Sequence, residues 1–362
     1  MMRSALPLAL ACWATASHAG EVVSPFVSLH GFTVKKDKSH IISNLPPLTD
    51  QGSLPLCFAH AAATVYNYYV CKGLGQDCAS APKSALASPL DITRYASRPE
   101  NNEGLEYSSS YPAIRISGGS ALYTLEKAAL FAGEVASQQC APYESFFIGT
   151  ASTGQGVADT VVLSQNETLA SLEAFYKKYN PPCSTQCPPG TLEELGAILP
   201  NFHTDILALS RALRRESFDG FLTRLAIPAN CALARNRAFF DRNDYTMGML
   251  PPTGKKSLSY TQYRKAIIDA VKRDNPVILE GICLSAKKKN GKCDDMHALV
   301  VYGYAELCDA ERCYTGLKLR SSWGQEWQAA ADERWYDAKA LFERSAQLEG
   351  MVGWLTPVAK KK

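Results

Sequence analysis

Leu45-Pro-Pro-Leu-Thr-Asp-Gln-Gly-Ser-Leu-Pro-Leu-Cys-Phe-Ala-His60 sets Gln51 six residues ahead of Cys57, and Cys57 opens an apolar run that continues through Tyr69. The run Phe58-Ala-His-Ala-Ala-Ala-Thr-Val-Tyr-Asn-Tyr-Tyr69 is rich in alanine and holds neither Gly nor Pro, so it predicts a buried helix beginning near Cys57. A thiol at that start meets the positive end of the helix dipole and the first-turn N–H groups, which favour thiolate over thiol. A thiolate that attacks an acyl carbon also needs donors for the oxyanion it creates. The Gln51 side-chain amide, one loop upstream, and the Cys57 backbone N–H are candidates for that pair. The alternative on these residues alone is a buried structural cysteine, or half of a disulfide, beside a loop glutamine.

Two distal segments argue for the chemical reading. Asp294-Asp-Met-His-Ala-Leu-Val-Val-Tyr-Gly-Tyr304 places His297 at the start of a β-branched, aromatic run, where a strand end can hold an imidazole rigidly. Leu317-Lys-Leu-Arg-Ser-Ser-Trp-Gly-Gln-Glu-Trp327 reads as a second strand ending in a Trp-Gly-x-x-Trp turn. Antiparallel pairing of the two brings the Ser321 region beside His297. A cysteine on a helix start, a histidine on a strand and a polar residue on the next strand is the order of nucleophile, base and orienter.

On these residues the chain resembles the papain-like cysteine peptidases. Gln51-Gly-Ser with Cys57-Phe-Ala matches their Gln-Gly-Ser-Cys-Gly-Ser-Cys-Trp-Ala, His297-Ala-Leu-Val-Val-Tyr-Gly-Tyr matches their His-Ala-Val and Gly-Tyr, and Ser322-Trp-Gly-Gln-Glu-Trp327 matches their Asn-Ser-Trp-Gly-x-x-Trp. Partial matches are Ser88-Pro-Leu-Asp-Ile-Thr-Arg-Tyr95, Gly118-Gly119 and Asn275-Pro-Val-Ile-Leu279. The resemblance covers roughly residues 42–145 and 256–358. It implies an α+β, two-lobed fold, with a helical lobe carrying Cys57 and a β-barrel-like lobe carrying His297. Peptide-bond hydrolysis would take place in the cleft between them, without metal or cofactor. It further implies that Trp323 covers the His297–Ser321 contact, that Gly118 and Gly119 offer backbone groups to an extended substrate, and that Glu280 and Ala298 lie near the pocket for the residue preceding the cleaved one.

The departures from that pattern are informative. Leu54 and Ile116 stand where the family has two disulfide partners, which suggests an apolar contact in place of the bridge. Ser321 stands where the family has the orienting Asn. Its hydroxyl is shorter than an Asn carbonyl, so it is expected to reach the imidazole through water or not at all. Asp294 and Asp295 are substitute orienters or solvated turn acids. His60, three residues after Cys57 on one helix, reads as structural, as do His30, His40 and His203.

Residues 1–19 have the form of a secretory signal, with Arg3 ahead of an apolar core and a Ser17-His-Ala19 cleavage site. No later segment runs to 18 apolar residues. The formal charge of +3, or +2 without Arg3, is close to balance and argues against nucleic acid or membrane as the main partner. A secreted or periplasmic monomer acting on peptide or protein is expected. Of the twelve cysteines, Cys12 leaves with the signal, and an odd eleven remain, as one free thiol plus five bridges requires. Cys71–Cys78, Cys183–Cys187, Cys283–Cys293 and Cys308–Cys313 are close enough to staple local loops, and Cys140–Cys231 follows by elimination. Other pairings, or reduced cysteines, are the alternative.

The expected organisation is an arm or short pro-segment over 20–44, a helical lobe over 45–145, a mainly helical insertion over 146–255 and a β-rich lobe over 256–362. Asn166 to Tyr179 has helical periodicity, Thr191-Leu-Glu-Glu194 reads as a capping box, and Leu209–Glu216 and Phe218–Leu225 continue as helix. The arm, with Val22-Val-Ser-Pro-Phe-Val27, is the favoured candidate to occlude the cleft, followed by the insertion; the alternative is that neither does. Two further readings remain open: a pseudopeptidase that binds peptides without turnover, and another Cys–His acyl hydrolase of amidase or transglutaminase-like type.

Overall fold

The structure, a computed structural model, describes residues 26–52, 54–96, 113–116, 118–147, 157–181, 183, 186–252, 258–284, 293, 296–345 and 351–358. The signal reading, Asp294 and Asp295 lie outside these residues, as does most of the Val22–Val27 stretch. In chain order the elements are β1 (Thr33–Ile41), α1 (Cys57–Leu74), α2 (Pro89–Ile92), α3 (Ala121–Glu126), β2 (Glu134–Ala136), α4 (Glu144–Phe147), α5 (Val157–Tyr179), α6 (Thr191–Ile198), α7 (Ile206–Leu213), α8 (Phe218–Ala226), β3 (Arg237–Phe239), β4 (Tyr245–Leu250), α9 (Tyr260–Val271), β5 (Val277–Cys283), β6 (Met296–Cys308), β7 (Cys313–Arg320), α10 (Gly324–Asp332), β8 (Tyr336–Asp337), α11 (Ala338–Glu343) and β9 (Val352–Pro357). The fold class is α+β. No helix among the described residues is long and apolar enough to cross a membrane.

Helix α1 is the axis of the core. Every residue from Cys57 to Cys71 is buried, because small alanines let α3 and strands β5 and β6 close in around it. Several of its polar side chains are satisfied internally: Tyr66 Oη donates to Ala238 O at 3.0 Å, Asn67 Nδ2 to Ala87 O at 3.2 Å, and Tyr69 Oη to Asn275 Oδ1 at 2.8 Å. The helix stops at Gly75, whose left-handed conformation (φ 64°) sends its N–H back to the last turn.

The main sheet is antiparallel, in the order β4-β9-β5-β6-β7-β8, with β1 pairing the second half of β6 beyond the end of β5. Strand β6 is therefore the spine, with β7 along its other edge through Val300↔Arg320 and Val301↔Leu319. The β5–β6 register shifts between Leu279 and Ile282, so Glu280 and Gly281 (φ 74°) form a bulge that re-aims the chain just before the Ile282↔His297 pair.

The described part of the N-terminal arm does not cross the cleft. Its β1 hydrogen-bonds along β6, and Leu29, Phe32 and Val34 form a small core with Ala305, Leu307, Tyr314 and Trp335. Described residues of 146–255 also share contacts with the rest of the chain. Leu172, Phe175, Leu209, Phe221 and Leu225 join the same core as α1, Ile114 N donates to Thr223 Oγ1 at 2.8 Å, and β4 adds a strand to the main sheet against β9. The segment also contributes β3, paired with β2 of the preceding region.

The capping box expected at Thr191–Glu194 is absent. The N-cap of α6 is Gly190 with no side-chain cap, Thr191 Oγ1 donates to Pro188 O, and Glu194 is drawn instead to Lys178 and Tyr179. A true capping box forms at Ser259 and Gln262, starting α9. Disulfides join Cys71 to Cys78, Cys140 to Cys231, Cys183 to Cys187, Cys283 to Cys293 and Cys308 to Cys313, while Cys57 stays outside any disulfide.

Candidate active site

Cys57 is the first residue of α1. The residue before it, Leu56, offers no side-chain cap, and its carbonyl accepts from the N–H groups of Ala59 and His60 at 2.9 and 3.1 Å. Leu54 and Leu56 anchor this loop in the core, and Ile116 packs against the same core.

His297, second residue of β6, is 1% exposed. Its Nε2 lies 2.9 Å from Ser321 Oγ, and its ring is stacked on Trp323 with centroids 4.1 Å apart and planes at 17°. Register explains both contacts. Val300 pairs with Arg320 across β6 and β7, so continuing the two antiparallel chains brings Ser321 and Trp323 back past His297. The serine hydroxyl thus contacts the imidazole directly, and the expectation of a water-mediated or missing contact is corrected. The other ring nitrogen, Nδ1, is buried without a hydrogen-bond partner. In the tautomer whose Nε2–H donates to Ser321 Oγ, Nδ1 is the ring acceptor.

Cys57 and His297 line one cleft of ≈ 270 Å³, together with Gly118, Gly119, Glu280 and Ala298. Gly118 has φ +94° and open space where a Cβ would stand. At Gly119 a Cβ would come within 2.9 Å of the Ala96 Cβ and 3.0 Å of the Phe58 ring, so packing against α1 already excludes a side chain there. Glu280 is buried on the bulge, its carboxylate accepting from Ser120 Oγ at 2.9 Å and from Ala121 N at 2.6 Å. No described residue of the arm or of 146–255 lines this cleft.

Gln51 is set apart from the other expected residues. It is 2% exposed and does not line the cleft. Its Nε2 donates to Leu54 O at 2.8 Å and its Oε1 accepts from Ser322 Oγ. Its backbone is tied down as well: Gln51 N donates to Ser322 O at 2.9 Å and Tyr143 Oη donates to Gln51 O. An amide nitrogen carries two N–H groups, and one is committed to Leu54.

The turn holding Ser321 is braced from behind by α10. Gln328 Oε1 accepts from Ser321 N at 3.2 Å, and Gln328 Nε2 donates to Leu319 O at 3.1 Å. The Trp-Gly-x-x-Trp segment is thus the start of a helix more than a turn, with Gly324 at φ +83° and Asp50 against it. Burial raises the Asp50 pKa, opposed by the Gly52 N–H that donates to it. Phe26 packs edge-on against Trp323 at 5.7 Å.

Reading the sequence missed Arg115 and Met296 in the cleft, Ser322 as the partner of Gln51, and Gln328 as the brace of Ser321. Ser322 lies inside the matched Ser-Trp-Gly-x-x-Trp segment and was open to discovery there; for Arg115 the sequence holds no signal. Among the described residues the one group with metal-ligating side chains, Glu306, Cys308 and Cys313, has both thiols consumed by a disulfide.

No protein-family profile matches the chain, and no curated protein matches its sequence. Solved structures do. Xylellain, a cysteine protease from Xylella fastidiosa, is 12% identical, with 98% of this chain and 100% of that one covered at a TM-score of 0.41. A recombinant stem bromelain precursor is 12% identical, with 94% of this chain and 79% of that one covered at a TM-score of 0.39.

Proposed function

We propose that the protein is a papain-like cysteine peptidase, exported to the cell exterior or periplasm. The observation that carries this reading is the state of His297: one ring nitrogen held by Ser321, the other buried and unpartnered, in a cleft that Cys57 also lines. In this reading Nδ1 takes the Cys57 proton, and the thiolate attacks the peptide carbonyl. The oxyanion is met by the second Gln51 amide N–H and the Cys57 N–H. His297 then protonates the leaving amine, and water, deprotonated by the same nitrogen, releases the acyl group from sulfur. Ser321 orients the imidazolium and Trp323 shields that contact from solvent. Gly118 and Gly119 receive the substrate backbone, while Glu280 and Ala298 border the pocket next to the scissile residue. Five disulfides support an oxidising compartment.

The commitment of Gln51 to Leu54 and Ser322 favours a second reading, a peptide-binding protein with impaired turnover. Incubation of the protein with a peptide library separates the two. Cleavage is expected, lost in Cys57→Ala and His297→Ala and reduced roughly tenfold to a hundredfold, about 1.4–2.7 kcal/mol of transition-state stabilisation, in Ser321→Ala. Peptide binding without any Cys57-dependent cleavage would establish the second reading instead.

A further inference from the structure

The proposed chemistry leaves one buried histidine without a task. His60 lies one helical turn from Cys57 on α1 and is 1% exposed. Its Nδ1 stands 2.8 Å from Thr49 Oγ1, its ring meets Tyr143 edge-on at 4.9 Å, and its Nε2 is buried with no hydrogen-bond partner. A buried acceptor left unsatisfied loses the hydrogen bond that water would give it in the unfolded chain. His60 also lines a cavity of ≈ 10 Å³ shared with Thr49, Arg320, Ser321 and Ser322. That is about the room one water requires.

Ser321, in the wall of the same cavity, poses the complementary problem. Ser321 Oγ makes one side-chain hydrogen bond among the described residues, to His297 Nε2. If it accepts the imidazole N–H, its own hydrogen needs an acceptor elsewhere. Arg320, the charged group in the cavity wall, is a donor only, and its guanidinium donates to Pro46 O.

We infer that one ordered water occupies this cavity, accepting the Ser321 hydroxyl hydrogen and donating to His60 Nε2, which makes His60 a positioning residue for the His297–Ser321 contact. With Nδ1–H on Thr49, His60 presents its Nε2 lone pair to the water, and every donor in the chain from His297 to Thr49 points one way. Burial lowers the His60 pKa to about 3, so the ring stays neutral and that lone pair persists at neutral and mildly acid pH. Ser321 is then held with a lone pair toward the imidazole, a direction that an Asn carbonyl has by its covalent structure and a freely rotating hydroxyl does not.

The catalytic consequence rests on the peptidase reading, but the test does not need hydrolysis. A high-resolution crystal structure should show one water within hydrogen-bonding distance of both His60 Nε2 and Ser321 Oγ. An empty cavity, or a water that touches only one of them, overturns the inference. In parallel, the pH profile of Cys57 alkylation by iodoacetamide reports the His297 imidazolium. His60→Phe, which keeps the ring edge against Tyr143, should move the upper midpoint down by about one unit, a tenfold loss of imidazolium stability. Thr49→Val should move it in the same direction and serves if His60→Phe does not fold. In a Ser321→Ala background neither substitution should shift the midpoint further. An equal shift in both backgrounds would mean that His60 acts through packing alone and would overturn its positioning role. Absence of peptide cleavage with the water and the coupling intact would refute the peptidase reading and leave this inference standing.

Discussion

His60 and His297 are both 1% exposed, yet their environments ask opposite things of them. His297 has a hydroxyl on one nitrogen and lines the cleft, whereas His60 is enclosed by Thr49, Tyr143 and core. For His60, burial pushes the pKa from the ordinary 6.5 to about 3. Below pH 6.5 the unfolded chain binds a proton that the folded protein refuses, so stability falls as pH falls through the window from about 6.5 to about 3 and is unaffected above it. Within that window the loss is about 1.4 kcal/mol per pH unit, or about 2 kcal/mol between pH 7 and pH 5. Thermal melts at those two pH values should therefore show a drop in the native protein that is largely absent in His60→Phe. An identical drop in both would mean that other groups dominate acid unfolding. Ser321 illustrates the limit of reading single residues: side-chain length alone suggests a missing contact, and only strand placement brings the hydroxyl to 2.9 Å.

At the scale of elements, the site depends on where two strands and one helix end. The bulge at Glu280–Gly281 and the start of α1 at Cys57 line one cleft with His297, and the passage from β7 into α10 reaches it through the contacts of Ser321 and Trp323 with His297. Gly324 is the tightest of these joints. Its φ is +83°, and a Cβ there would stand 2.7 Å from Asp50 Oδ2 on the loop whose Asp50 bridges Trp323. Gly324→Ala is expected to cost roughly 1–3 kcal/mol and to loosen Trp323 from His297. The measurement is the denaturation midpoint together with tryptophan emission. A variant of native stability and native emission would show that the loop absorbs the methyl group without disturbing the stack.

For the whole molecule, the described part of the arm contributes strand β1. Removing everything before Ile42 strips β1 from the second half of β6 and takes Leu29, Phe32 and Val34 from their small core. A bare, apolar strand edge invites association. A protein starting at Ile42 should melt earlier and self-associate in light scattering, without a gain in peptide hydrolysis. A monodisperse product with unchanged melting and raised activity would instead make the arm a gate.

How much of this was legible in the chain follows from the range of the forces involved. Helix α1, strands β6 and β7 and the candidate pair Cys57 and His297 were readable because propensity, periodicity and short motifs act over neighbouring residues. The false capping box at Thr191 was lost to competition: Pro188 O took the threonine hydroxyl, and Lys178 and Tyr179 took Glu194. Strand β4 was hidden for a related reason, since its pairing with β9 joins residues more than a hundred positions apart. What the sequence by itself determined was the chemistry on offer: one cysteine at a helix start, one histidine on a strand, and a serine-tryptophan-glycine segment after it. Only the tertiary structure decided which nitrogen of His297 is held and which left unpartnered, that Ser321 touches it directly, and that His60 and Ser321 share a cavity. Those facts depend on register and packing between distant segments, and register is set by the whole buried face rather than by any local stretch.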